Sequence, residues 1–108
     1  MKQEIYMARE IETKCIHLEE AEGALNHFGA MAYPIYQSAT YAHPGVGQST
    51  GYDYSRLQNP TREHLEKTVA SLENGIDALA FSSGMAAITL MMELFKPGDH
   101  LIVDADLY

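Results

Sequence analysis

The sequence is short of positive charge. Fifteen Asp and Glu stand against seven Lys and Arg, for a formal net charge of −8. A surface of that sign repels nucleic-acid phosphates, and no basic stripe offsets it. Any anion must be held by a few aimed groups, and the only arginines are Arg9, Arg56 and Arg62. Cysteine is nearly missing as well. Cys15 has no partner, so a disulfide within these 108 residues is excluded and a reducing, cytoplasmic setting is expected. In "ETKCIHLEE" that thiol reads as packing rather than as a nucleophile. No apolar run reaches the roughly 18 residues of a membrane span. The start, MKQEIYMARE, is too acidic and too interrupted for a secretory signal. His17, His27, His43, His64 and His100 lack metal-ligand spacing such as HExxH. There is no repeat and no low-complexity tract.

What is present falls into two unlike halves that meet near residue 59. In the first, Met7, Ile11 and Cys15 recur every four residues, which predicts a short helix within Met1 to Glu22. Then comes a long stretch without periodicity. It holds Pro34 and Pro44, Gly45, Gly47 and Gly51, and Tyr33, Tyr36, Tyr41, Tyr52 and Tyr54. So many amphipathic rings favour an interface over a plain linker, and the stretch reads as an arm lying on another surface.

From Asn59 the pattern becomes regular. "NPTREHLEKTVASLENG" predicts a helix with Asn59 as N-cap and Pro60 at its first position. Leu65, Val69 and Leu72 mark one face, Glu63 and Lys67 form an i,i+4 pair, and Gly75 suits a left-handed cap. "DALAF" and "HLIVD" read as strands buried on both faces. Between them a helix is predicted from Gly84 to Phe95, stopped by Lys96-Pro97-Gly98-Asp99, with its methionines filling core. Strand, helix, strand with short joints is a right-handed βαβ crossover, so the fold class is α/β. About fifty residues bury too little surface to be stable alone, and a parallel pair needs cover on both faces.

Ligands of such folds sit beyond the carboxyl ends of the strands. There Ser82, Ser83, Gly84 and Met85 turn the chain into the helix. First-turn amides lack partners inside the helix and carry about half a positive charge, so the turn is a seat for phosphate. It is equally readable as a serine cap with a small residue for packing. It is neither a Walker loop nor a GxGxxG turn. In "YDYSRLQNPT", Arg56 can grip a phosphate with two parallel hydrogen bonds and Tyr54 can donate a third; at i and i+2, extended backbone would point both one way. A surface salt bridge is the plainer fate for Arg56. Tyr108 lies past the second strand, where its ring could cover a flat cofactor. Asp104 and Asp106 read as solvated loop residues.

"YPIYQSATY", "YDYSRLQNPTR", "SSGMAAI" and "KPGDHLIVDADLY" stand in one order that resembles the trans-sulfuration family of pyridoxal-phosphate enzymes. The resemblance covers roughly Tyr33 to Tyr108 and is nearest in wording to the cystathionine γ-synthase and γ-lyase branch. It implies the start of a fold-type-I enzyme: an extended inter-subunit arm over residues 1–58, then the first βαβ unit of the large parallel or mixed-sheet cofactor domain over residues 59–108. It implies pyridoxal 5'-phosphate as cofactor. Gly84 and Met85, with Ser83, match the amides and hydroxyl that hold the cofactor phosphate. Tyr54 and Arg56 match the pair that grips it from a neighbouring subunit. Tyr108 matches the catalytic tyrosine that stacks on the pyridine ring, and Asp53 a residue that faces the substrate. The implied assembly is a homotetramer, a dimer of active dimers, acting on a small amino acid, with no nucleic-acid or membrane partner. The implied reactions are elimination or replacement at Cβ or Cγ. The family's Schiff-base lysine and the aspartate that pairs with the pyridine nitrogen match nothing here. Lys2 and Lys14 lie in the arm, Lys67 on an exposed helical position, and Lys96 in a turn. These 108 residues alone are therefore expected to be inactive. A non-catalytic interaction module that kept the arm is the alternative.

Overall fold

The computed structural model describes residues 10–16, 28, 30 and 32–107. Three helices lie among them: α1 (Ile11–Ile16), α2 (Pro60–Leu72) and α3 (Gly84–Met92). The chain divides into two compact units, Met1–Ala78 and Leu79–Tyr108.

The first unit is built around α2. Asn59 sits in extended backbone (φ −142°, ψ 132°), and its side-chain oxygen accepts from Thr61 N at 2.9 Å. Pro60 follows at a position whose amide would have no partner anyway. Glu63 and Lys67 pair across one turn, as their spacing predicts. The far end differs from expectation by one residue. Asn74, not Gly75, takes the left-handed conformation (φ 55°), and Gly75 N donates to Ala70 O at 2.8 Å. This closes the helix as a Schellman turn, with asparagine tolerated at the left-handed position because its side chain is short and polar.

The predicted apolar face of α2 is not the one that is covered. Leu65 is 54% exposed and Val69 42%, whereas Pro60 and Ala70 are buried. Residues 33–59 instead lie along the polar side of the first turns. Tyr36 N donates to Thr61 Oγ1 (2.8 Å), and that hydroxyl donates to Pro34 O (3.2 Å). The Tyr33 ring stacks on His64 with centroids 3.9 Å apart, and the Tyr52 hydroxyl donates to Glu63. The tyrosine-rich stretch thus lies on this unit's own helix. It also folds back on itself: Thr40 and Tyr54 form an antiparallel bridge, with Tyr41 N donating to Asp53 O (3.3 Å) and Ser55 N to Ala39 O (2.9 Å). Gly47 (φ 71°) and Gly51 (φ 98°) make the reversal, in backbone that only glycine adopts without cost.

Helix α1 packs against α2. It realises the middle of the predicted N-terminal helix; residues 1–9 and 17–22 of that prediction lie outside the described residues. Cys15 is exposed on α1, not packed.

In the second unit, Ser83 caps α3 from extended backbone (φ −152°, ψ 153°), its Oγ accepting from Ala86 N at 3.2 Å. The regular helix ends three residues before the predicted Phe95. The chain tightens there to i→i−3 bonds, Glu93 N to Leu90 O, Leu94 N to Met91 O and Phe95 N to Met92 O, each 3.1–3.2 Å. Lys96 to Asp99 then form a type II turn with Pro97 and a positive φ of 102° at Gly98. Asp99 N donates to Lys96 O (3.0 Å), and Lys96 N donates to Asp99 Oδ2 (2.7 Å).

The largest departure concerns the strands. Among the described residues neither "DALAF" nor "HLIVD" pairs into a ladder, and the Thr40–Tyr54 bridge stands alone. Phe81 is 41% exposed and Ile102 98%. Met85, Met91 and Met92, expected in a core, are exposed too. The reason is physical: a parallel pair is stable only when both faces are covered, and this unit offers one nine-residue helix. No helix among the described residues is long and apolar enough to cross a membrane.

With so little apolar surface covered, the 108 residues prepared alone should melt without a cooperative transition. A sharp thermal unfolding curve by circular dichroism would contradict this.

Candidate functional site

Tyr54 and Arg56 are brought together, although not by extended backbone. Tyr54 O accepts from Leu57 N (2.9 Å) and Gln58 N (3.0 Å), so residues 54–58 form a tight turn. Across it Arg56 Nη2 donates to the Tyr54 hydroxyl at 3.0 Å, with the guanidinium carbon 5.4 Å from the ring centroid. Both side chains are exposed, and among the described residues Arg56 has no carboxylate partner. Arg62, by contrast, is tied to the Leu57 carbonyl and to Glu66 at 3.6 Å. The Tyr54 oxygen accepts from Arg56, which leaves its own proton free to be donated outward. The pair is a guanidinium and a phenol with unused donors on one surface.

Asp53 points elsewhere. Its Oδ1 accepts from Ser49 Oγ and lies 3.5 Å from His43 Nε2, while His43 Nδ1 meets Gln48 O at 2.7 Å. The carboxylate thus fastens the two limbs of the loop before Tyr54.

In the second unit the Ser-Gly-Met turn is an open helix end. Ser83 Oγ takes the Ala86 amide and Ser83 O the Ala87 amide (3.3 Å). The amides of Gly84 and Met85 have no partner among the described residues. Apart from its chain neighbours and the helix's own backbone, nothing stands within 4 Å of where a Gly84 Cβ would be. Two free amides, a hydroxyl that still has its proton and clear space at a glycine are the donor set of an anion seat. The site residues present therefore fit a phosphate group. Tyr108 lies outside the described residues.

Three residues matter to this geometry in ways that spacing does not reveal. Asn59 does more than cap α2: its Nδ2 donates to Tyr36 O (3.0 Å) and Ser55 Oγ (3.0 Å), with Tyr41 OH at 3.3 Å sharing one of the two protons. Tyr52 and Glu63 join the loop to α2. Burial first, and then the hydrogen bond to Glu63, push the Tyr52 phenol well above its ordinary value. The Lys67 ammonium, and then Tyr52, hold the Glu63 carboxyl below the usual carboxylate range. Of this network only the Glu63–Lys67 pair carries a sequence signal.

Comparison with known proteins agrees with these motifs. Residues 12–108 match the family model described as Cys/Met metabolism PLP-dependent enzyme. A cystathionine gamma-synthase/O-acetylhomoserine (thiol)-lyase of Bacillus subtilis is 50% identical over 102 residues, 94% of this chain and 27% of that protein. The crystal structure of cystathionine gamma-lyase from Lactobacillus plantarum complexed with L-serine matches at TM-score 0.70 and 42% identity, over 85% of this chain and 23% of that one. A cystathionine gamma synthase from Xanthomonas oryzae, solved in complex with aminoacrylate and cysteine, matches at TM-score 0.71 and 33% identity, over 84% and 23%. The chain belongs to the Cys/Met-metabolism family of pyridoxal-phosphate-dependent enzymes, and it spans about a quarter of the length of its curated relatives.

Two outcomes are expected in the complete polypeptide. Replacing Asn59 by alanine removes a cap, worth about 1 kcal/mol, and strands several polar groups. A loss of roughly 2–3 kcal/mol in denaturant unfolding should follow; a loss within 0.5 kcal/mol, the range of ordinary surface changes, would be inconsistent with its joining role. The second concerns acid. A carboxyl held low stabilises the fold above the ordinary carboxylate range and stops doing so as pH falls through its lowered value. The melting temperature of Glu63→Gln should therefore lie below that of the parent at neutral pH and converge with it below about pH 4. An offset unchanged from neutral pH to pH 3 would contradict the assignment. The effect is modest because both partners of the pair are partly exposed.

Proposed function

We propose that the complete polypeptide is a pyridoxal-phosphate-dependent lyase or transferase of sulfur amino-acid metabolism. In this reading it works by elimination or replacement at Cβ or Cγ, as a cystathionine γ-synthase or γ-lyase does. Family membership and the names of its relatives support the class. The single observation that carries the site reading is Arg56, exposed and joined to Tyr54, with no carboxylate within 4 Å among the described residues on a chain of net charge −8.

Ser83, Gly84 and Met85 would hold the cofactor phosphate through two amides and a hydroxyl. Arg56 would add two parallel charge-assisted bonds and Tyr54 a third from its free proton. When bound, pyridoxal phosphate supplies an electron sink for negative charge at the substrate's α-carbon. Tyr108 would cover the ring and hold or move a proton at its hydroxyl. Asp53 would face the amino-acid substrate only by sharing the carboxylate that now braces His43 and Ser49.

The reading includes an assembly. Residues 1–58 act as an arm toward a neighbouring subunit, so that Tyr54 and Arg56 complete a site whose amides belong to another copy in a dimer of active dimers. Residues 59–108 begin the cofactor domain, where "DALAF" and "HLIVD" become strands once the sheet has its neighbours and both faces are covered. A homotetramer of this kind would act in the cytoplasm.

In the complete polypeptide, Arg56→Ala should weaken pyridoxal-phosphate binding roughly ten- to a hundredfold, the loss expected for hydrogen bonds to a charged group. The readout is cofactor absorbance during titration of the apoprotein. Unchanged retention would overturn the site reading.

A further inference from the structure

We infer that Tyr52 and Glu63 form a positioning element for the Tyr54–Arg56 pair, an inference that rests on the phosphate reading above. The Arg56 side chain is exposed. Its partner among the described residues is Tyr54, another exposed side chain. Where the guanidinium stands is therefore set by the backbone that carries it. That backbone is tied down immediately upstream. The Tyr52 hydroxyl donates to one Glu63 oxygen, Lys67 pairs with the other, and the Tyr52 ring packs on Tyr41 at 5.7 Å. Glu63 stands on the first turns of α2, the helix capped by Asn59. The tether runs from a capped helix to the residue two positions before Tyr54.

Its chemistry suits a fixed strut. Glu63 stays ionised because Lys67 neutralises it, so its acceptor is charged and the bond from Tyr52 is of the stronger, charge-assisted kind. Without the tether the 52–56 segment keeps its bridge to Thr40 and the bond from Asn59 to Ser55 but loses its second anchor to α2, the one upstream of Tyr54. Arg56 then samples more positions, and gripping an anion costs more ordering.

The test is a double-mutant cycle on the complete polypeptide, reading the pyridoxal-phosphate dissociation constant by absorbance, with inorganic phosphate as competitor. Tyr52→Phe keeps the ring on Tyr41 and removes the donor. It should weaken cofactor binding about five- to tenfold when Arg56 is present and less than twofold in an Arg56→Ala background. Glu63→Gln, which retains an acceptor, should lose less than Tyr52→Phe and serves as the reporter if the latter does not fold. Equal losses in both backgrounds would show a general structural effect and overturn the inference, as would no loss at all. If Arg56→Ala itself leaves binding unchanged, the phosphate reading fails and this inference with it. An Arg56 effect without Tyr52 coupling sinks the inference alone.

Discussion

The first unit depends on one carboxamide. Asn59 has two amide protons and one carbonyl, and the structure uses all of them. Its oxygen starts α2 at Thr61, and its nitrogen serves Tyr36, Tyr41 and Ser55. Those partners belong to three separate stretches of backbone: the segment before the bridge, the bridge itself and the turn that carries Arg56. Among the described residues no apolar core of comparable extent holds them, for only Pro60 and Ala70 are buried there. Order here comes from directed hydrogen bonds around a helix start, supplemented by the Tyr33–His64 and Tyr41–Tyr52 ring contacts. Such bonds are exacting in geometry, so they fix position well. Their net contribution to stability is small, about 1 kcal/mol each.

This has an electrostatic counterpart. On a chain with fifteen acidic residues, an arginine is easily captured by a carboxylate. The acids nearest the loop are already engaged. Glu63 has Lys67 and Tyr52, Asp53 has His43 and Ser49, and Glu66 has Arg62. Arg56 is left with a phenol, whose ring face attracts a cation without neutralising it. The charge remains available for an incoming anion.

How much of this was legible in the residues follows from range. The Asn59 cap, Pro60 at the helix start, the Glu63–Lys67 pair and the Ser83 cap are local, set by partners within four positions, and each stands where its spacing placed it. The order of the family motifs was legible for a different reason, since it is a property of the whole family that residues 12–108 match. The Tyr52–Glu63 bond spans eleven positions and the Asn59–Tyr36 bond twenty-three, so no periodicity announces them. Leu65, Val69 and Leu72 do form an apolar stripe, but the polar and aromatic groups of residues 33–59 lie on another side of α2, so the stripe does not mark the face they cover. The apolar runs "DALAF" and "HLIVD" can form strands only with neighbours on both sides.

Helix α3 joins the two themes. GMAAITLMM contains no charge, and a helix apolar all round belongs inside a protein. Here its methionines, Ile88 and Leu90 face solvent. In relatives of which this chain spans about a quarter, there is ample further polypeptide to cover such a helix. Its N-terminus can hold an anion only if its amides are fixed in direction, because a seat that tilts must be ordered anew at each binding. Cover for the body of α3 and affinity at its open end are therefore one requirement. The proposed phosphate seat is written locally, in Ser83, Gly84 and Met85. Its rigidity is not, and must come from whatever packs against the helix behind them.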